Sequence, residues 1–509
     1  MKAKYMITLK FCFKLLGIST LMLTLSSCSD DFLELDPESN TTDASFFKTA
    51  AQMEQAVIGA YVPLRDLTTL EYWLFGEMRS DNTTFQYYNA DRGLENRDLV
   101  DYFLIPASAV DPLETFWQKS YTGIARANTV LDYIDGISDL EEQQKKEYKG
   151  EVRFLRAFYY YHLVQQFGGI PLELVSTTNP SDAHSEGRAS KEEIFNSIIE
   201  DLTIAVENLP TVGHANRGRA TSGAAKTMLA KAYMAQGSYS EAVNVLQEIT
   251  EYSLLSGDSD SYRKIFDPNY SDNSEIIFSV QYLGSEEGLG STFLYQFAPN
   301  NSGNLVTGDP QMPTLAAGSG WNHPTRDMIQ AYEEGDLRKE ASLSLGFMDE
   351  NGVFVEQPYV SKYNFGFDLS GNTSVNFPTL RYADVLLMLA ESLNEEGFSA
   401  DGEAFDLVNQ VRNRAGLEDI NSTEVTNQDE FREAVFQERR VELAFENHRW
   451  YDLLRRDNIV EIMNTHGEEE KEIRGDIVPS GAYEIDDNSL LLPIPQREVT
   501  LNNLEQNPQ

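Results

Sequence analysis

Residues 437–456, QERRVELAFENHRWYDLLRR, restrict the fold of this chain more than any other stretch. Glu438, Glu442 and Glu446 stand at i, i+4 and i+8, so a helix lines them up in one acidic row whose members repel one another. The same stretch carries Val441, Leu443, Phe445, Trp450, Leu453 and Leu454, too much apolar surface for a solvated charged face. Buried carboxylates need cations beside them. Two sources are predicted. Arg439 can reach Glu442 along the helix, and Arg153 and Arg156 stand in the similarly mixed stretch 151–172, so the two stretches are expected to pack together. Asn447 tolerates the left-handed backbone of a helix end. That predicts a helix stopping there, a short one carrying Trp450 to Arg455, and a corner between them.

Local signals place further helices. Thr49 and Gln52 form a capping box ahead of the apolar face Met53, Val57, Ala60 and Leu64. Asp111, Pro112 and Glu114 open a helix on which Trp117, Tyr121, Ile124, Asn128 and Leu131 align. The helix with Arg153 and Arg156 ends at Gly168, Gly169 and Pro171, and Ser190 with Glu193 caps the next. In 225–250, Leu229, Ala230, Tyr233, Gly237, Tyr239, Ala242 and Leu246 have the spacing of a tetratricopeptide repeat. Leu389, Ala390, Leu393 and Gly397 begin an interrupted second copy, its other helix running from about Glu403 to Arg414. The expected fold is mainly α: a tetratricopeptide-like helical solenoid scaffold (about 46–70, 111–255 and 379–460) with large loop-rich insertions (about 71–110, 256–378 and 461–509). Strand-like runs at 275–282 and 352–360 lie within the insertions.

The N-terminus reads as an export signal. Lys2, Lys4, Lys10 and Lys14 precede an apolar run, 15–25, well short of the roughly 20 residues that span a bilayer. Leu25, Ser26, Ser27 and Cys28 fit a lipobox, so 1–27 is expected to be cleaved and Cys28 to carry the lipid. Residues 28–45 read as an acidic, flexible linker, and 46–509 as a single domain. Cys12 leaves with the signal, so no disulfide is available to the mature chain. The net charge of −41 becomes −45 once the four signal lysines are gone, a field that repels nucleic acid and anionic lipid.

No phosphate loop, His-Glu-x-x-His or Gly-x-Ser-x-Gly is present, and the six histidines lack metal-ligand spacing. His448 reads as a packed corner residue. No enzyme, metal or cofactor is expected. What remains is binding: neutral glycans offer apolar C–H faces and rings of hydroxyls, and a site for them needs aromatic platforms flanked by amides, Asp or Arg. Two stretches offer that mixture. One holds Trp73, Asp81, Asn82, Phe85, Tyr87, Tyr88 and Arg92; the other holds Tyr295, Asn300, Asn301 and Trp321, with Gly318, Ser319 and Gly320 before the indole. Trp117 and Trp450 sit in helical patterns and are assigned to the core, whereas Trp321, and less strongly Trp73, are expected to be platforms.

Four blocks, RFLRAFYYYHLVQQFGGIPL, LRYADVLLMLAESLNE with VRNRAGL, ERRVELAFENHRWYDLLRRD, and LLLPIPQREVTLNNLEQNP, occur in this order. Together they resemble the SusD/RagB family of surface lipoproteins that bind nutrients for an outer-membrane transporter. The family usually closes on Asn-Pro-Gly-Tyr, whereas this chain has Asn507, Pro508 and Gln509. The resemblance implies a repeat scaffold with the ligand site in the insertions, attachment to the outer membrane through Cys28, and a TonB-dependent, SusC-like barrel as partner. It also implies an outward-facing position, since the acidic run Ser29, Asp30 and Asp31 resembles the family's surface-display signal. Its ligand would be a glycan, with peptide or another non-sugar nutrient as the alternative of the same class. A surface glycoside hydrolase and a plain interaction scaffold are the alternatives of other classes.

Overall fold

The helix Ala50–Thr69 (α1) starts on the expected box: the Thr49 side chain accepts from the Gln52 amide, the Gln52 side chain accepts from the Thr49 amide, and Met53, Val57, Ala60 and Leu64 are buried. The computed structural model describes residues 47–87, 95–177, 187–211, 218–271, 273–311 and 320–508. The signal, Cys28 and the linker therefore lie outside the described residues, as do Tyr88, Arg92, Gly318 and Ser319.

The remaining helices of eight residues or more among the described residues are Thr115–Tyr133 (α2), Glu142–Phe167 (α3), Lys191–Asn208 (α4), Ser222–Met234 (α5), Tyr239–Leu246 (α6), Tyr382–Glu396 (α7), Glu403–Arg414 (α8), Gln428–Glu442 (α9) and Ile459–Arg474 (α10). Each of α1 to α7 packs on the next, and α8 and α9 both pack on α7. The solenoid therefore runs on across the long insertion: α7, which opens the interrupted repeat, stacks directly against α6, which closes the intact one. Gly168, at φ 70, ends α3, and Ser190 with Glu193 caps α4. The Asp111 start is corrected: its backbone is extended, Val110–Glu114 forms a wide π-turn, and α2 begins at Thr115.

Three antiparallel strand pairs fill the insertions. Thr83–Thr84 (β1) pairs with His323–Pro324 (β3), Ile276–Val280 (β2) with Phe377–Arg381 (β6), and Leu343–Met348 (β4) with Phe354–Val360 (β5). The third insertion is less loop-like than expected, because α10 runs through Gly467. That glycine is required by contact: a Cβ there would lie 2.2 Å from Cβ of Tyr483.

The acidic row is buried and answered, but by other cations than those expected. Glu438 pairs with Arg338 (2.5 Å) and Arg412 (3.1 Å), Glu442 with Arg414, Arg381 and Arg338, and Glu446 with Arg381 and Lys362. Burial alone would raise the Glu442 carboxyl; Arg414, Arg381 and Arg338 hold it well below the usual carboxylate range. Arg153 and Arg156 turn instead to Asp201 on α4, and Arg439 to Asp384 and Asp452. The two stretches of mixed charge and apolarity still meet, through neutral groups: the Tyr451 hydroxyl contacts His162 Nδ1 at 2.9 Å and accepts from Gln166 Nε2.

The corner is present, with α9 ending at Glu442 rather than at Asn447 and a short helix, Arg449–Leu453, beyond it. Between them Phe445 and Asn447 both take left-handed backbone, φ 67 and 69. Their amides donate to the two carboxylate oxygens of Glu77, at 2.8 and 3.1 Å. His448 is buried at this corner, near Lys231 and Asp384, and burial lowers its imidazole to about 4.

Candidate functional site

The two aromatic and amide-rich stretches converge into one loop face. β1 pairs with β3, the Thr325 amide donates to Asn82 O (3.0 Å), and the Gln86 amide donates to Gly320 O (2.7 Å). Gly320, at φ 84, lets the chain turn there, and Asn322 follows in the same left-handed region while accepting from Thr83 Oγ1. The face thus rests on backbone ladders joining segments more than 200 residues apart.

At its surface lies a relay of neutral amides. Gln86 Oε1 accepts from the Asn300 backbone N–H (2.7 Å), and Gln86 Nε2 donates to Asn301 Oδ1 (3.3 Å) and to Gln357 Oε1 (3.2 Å). Gln357 Nε2 in turn stands 3.3 Å from His323 Nδ1. Burial lowers the His323 imidazole to about 3, so this partner is neutral at physiological pH. Asn301 is exposed, and Gln86, Tyr87 and Gln357 are half-buried.

Several expected ligand residues belong to the support beneath this face. Trp321 is fully buried, with the ring of Phe85 6.4 Å away and the Arg97 guanidinium 5.5 Å from its centroid, so the expected platform is a core residue here. Trp73 is equally buried, its indole donating to Thr69 O and meeting the edge of Phe297. Both indoles fill the space under the loops because packing a ring that large removes far more apolar area from water than leaving it on a turn. Asp81 is clamped by Arg449 (2.7 Å) and Arg440 (3.2 Å); burial would raise its carboxyl, but the two guanidinia hold it well below the usual range. Asn82 donates to Glu77 and accepts from Arg440. The Tyr295 hydroxyl, buried, donates to Asp309 Oδ2 (3.0 Å) and accepts from the Gly371 amide. Burial and Asp309 push that phenol well above its ordinary value, so it stays a donor.

Of the described aromatic candidates, Tyr87 alone is not fully buried; it follows Gln86 in the chain and packs partly against the core. Gln86, Gln357 and His323 were missed. Gln86 lay inside a chosen stretch, whereas Gln357 carried no signal beyond its place in a short strand. The arrangement presents neutral donors and acceptors, and the candidate carboxylates Asp81 and Asp309 are paired elsewhere. Among the described residues no three His, Cys, Asp or Glu side chains gather as metal ligands, and no helix is long and apolar enough to cross a membrane.

Comparisons with known proteins bear on this geometry. A family model described as the SusD family matches residues 344–509, and another, described as starch-binding associating with outer membrane, matches 31–234. SusD-like protein P2 of Formosa agariphila is 29% identical over 95% of this chain and 96% of its own length. A solved laminarin binding SusD-like protein is 26% identical with a TM-score of 0.72, covering 91% of this chain and 99% of that one. A SusD homolog from Bacteroides thetaiotaomicron superposes with a TM-score of 0.79 at 21% identity, over 93% of this chain and 99% of that one, which supports the fold alone.

Proposed function

The chain belongs to the SusD/RagB family, and from that premise we propose that it is an outer-membrane lipoprotein that captures a neutral glycan, leaves it chemically intact, and passes it to a SusC-like barrel transporter. The observation that carries the glycan reading is the relay Asn301, Gln86, Gln357, with half-buried Tyr87 next in the chain, while the candidate carboxylates are already committed to other partners: Asp81 to arginines, Asp309 to Tyr295. Amides in this arrangement donate and accept toward adjacent hydroxyls of a sugar ring, and a partly open tyrosine ring suits its C–H face. The relative whose name specifies laminarin and the starch-binding family description agree with that ligand class.

Attachment through Cys28 and delivery to a barrel belong to the same proposal. The test is affinity electrophoresis of the folded protein from Ser29 onward in gels containing neutral polysaccharides, starch and laminarin included. Retardation by at least one, weakened in Gln357→Ala and in Tyr87→Ala, is expected. A folded protein retarded by none would sink the glycan reading in favour of peptide capture, and new reducing ends would make the chain a hydrolase. For delivery, the full-length lipoprotein tagged at its C-terminus is expected to co-purify with a TonB-dependent barrel from detergent-extracted outer membrane. Purification without one overturns that part.

A further inference from the structure

A second open groove, of about 760 Å³, lies on the solenoid between the segment following α6 and the end of α8, and shares no residue with the loop face. Its walls combine Tyr252 and Tyr382, the apolar side chains Leu254 and Leu337, and the amides Gln410 and Asn413. Gln410 and Asn413 are exposed and stand at i and i+3 on α8, so one helix face presents both amides to the groove. Ser253, Ser256 and Ser259 add hydroxyls along the opposite wall.

The two rings are held differently. Tyr252 is seated over Gly223, where a Cβ would come within 2.5 Å of the ring, and its hydroxyl lies 3.0 Å from Thr221 Oγ1. Tyr382 begins α7 half-buried, and its hydroxyl meets no protein partner among the described residues.

Charge separates this groove from another cavity, lined by α7, α9 and the segment after it. That cavity, of about 420 Å³, is lined mostly by Glu391, Glu395, Arg432, Asp452, Arg455 and Arg456, which pair with one another or with adjacent side chains. The groove contains one carboxylate and one guanidinium: Asp258, bound to Lys264, and Arg414, whose terminal nitrogens are taken by Glu275 and Glu442. In a chain with 81 acidic residues, a groove with no unpaired charge is selective against ions. Rings, amides and hydroxyls without free charge suit a neutral polyhydroxylated ligand, and the volume lies within the range of small-ligand pockets.

We propose that this groove is a second saccharide subsite, in which Tyr382 stacks on a sugar ring and Gln410 and Asn413 bind its hydroxyls. The inference rests on the glycan reading above. Two sites that share no residue would let one chain hold a long polysaccharide at two points, raising retention on polymer above that for a short oligosaccharide.

The test uses the protein from Ser29 onward, affinity gels of starch and laminarin, and calorimetry with maltohexaose or laminarihexaose according to which polymer retards it. The groove variants are Tyr382→Ala and the exposed-residue pair Gln410→Ala with Asn413→Ala, which leaves the core untouched. The loop-face variant is Gln357→Ala with Tyr87→Ala. Two oligosaccharides per wild-type chain are expected, with one site weakened about tenfold or more by either groove variant and the other by the loop-face variant. One oligosaccharide per chain, lost in the loop-face variant and unchanged in both groove variants, overturns the subsite and leaves the loop face standing. Loss in the groove variants alone supports the subsite and removes the loop-face reading. No retardation by either polymer and no oligosaccharide heat overturns the subsite.

Discussion

Gly76 lies in the π-turn Leu74–Met78, pressed against the corner that follows α9. In an open helical turn, glycine to alanine gains roughly 0.5–1 kcal/mol by restricting the unfolded chain. Here the sign reverses. A Cβ on residue 76 would fall 1.6 Å from Asn447 Oδ1, 2.5 Å from its Cγ and 3.1 Å from its backbone oxygen. The Asn447 backbone cannot easily retreat, because its N–H and that of Phe445 are both held by Glu77, so relief has to come from rotating a side chain that is itself buried. Overpacking of this kind costs about 1–3 kcal/mol. Gly76→Ala is therefore expected to lose about 1–2 kcal/mol net. For a mature chain of about 480 residues unfolding as one unit, that lowers Tm by about 1–2 °C, so urea titration is the better assay. The second change is Asn447→Gly. It removes the two closest atoms, suits φ 69, and forfeits no hydrogen bond, since Asn447 Oδ1 has no partner among the described residues. The double variant is expected to recover at least about 1 kcal/mol relative to the sum of the single changes, leaving only the 3.1 Å contact. A Gly76→Ala protein as stable as wild type, or strictly additive effects, would refute the reasoning.

Arg381→Met leaves Glu275, Glu442 and Glu446 each short of a partner in a fully buried network, and is expected to cost about 3–5 kcal/mol by urea titration, while Glu446→Gln beside it restores part of the loss. His323→Asn bears on pH: the imidazole titrates near 6.5 unfolded but is lowered to about 3 by burial, so its neutral form stabilises fully above 6.5 and that contribution is lost as pH falls toward 3. Wild-type stability between pH 6.5 and 4.5 should therefore fall more steeply than the variant's, by up to about 1.4 kcal/mol per pH unit, in urea titrations at stepped pH; parallel curves would count against a buried neutral imidazole. Trp321→Ala should lose about 3–5 kcal/mol as a core deletion. Lost glycan retention at unchanged stability would return Trp321 to the role of platform.

The parts of the fold legible in the sequence are those whose information is local. Thr49 with Gln52 and Ser190 with Glu193 state a helix start within four residues, and Gly168 states an end, because capping is settled by neighbouring donors and acceptors. The acidic row was legible as a demand for cations, but its spacing holds no information about which ones arrive. Arg153 and Arg156 were as suitable by composition as Arg338 and Arg381; the choice was made by β6 pairing with β2, which sets Arg381 beside Glu275 at the mouth of α7. Trp321 failed for the same reason, since a glycine-rich turn gives no sign that Phe85 will lie against the indole.

This misreading has a physical consequence for the site. The sequence placed Asp81 among ligand groups because it sits among aromatics and amides, whereas the fold uses Arg440 and Arg449 to neutralise it and leaves Gln86, Asn301 and Gln357 above. The net charge of −41 is thus not what a ligand would meet at the loop-face site proposed above. Discrimination there has to come from hydrogen-bond geometry and ring contact. These depend weakly on salt, whereas recognition through the chain's overall field would be screened within about 10 Å at 0.1 M ionic strength. Glycan retention that holds between low salt and 0.5 M sodium chloride is therefore the expected behaviour of the loop face, and a steep salt dependence would place recognition on the charged surface instead.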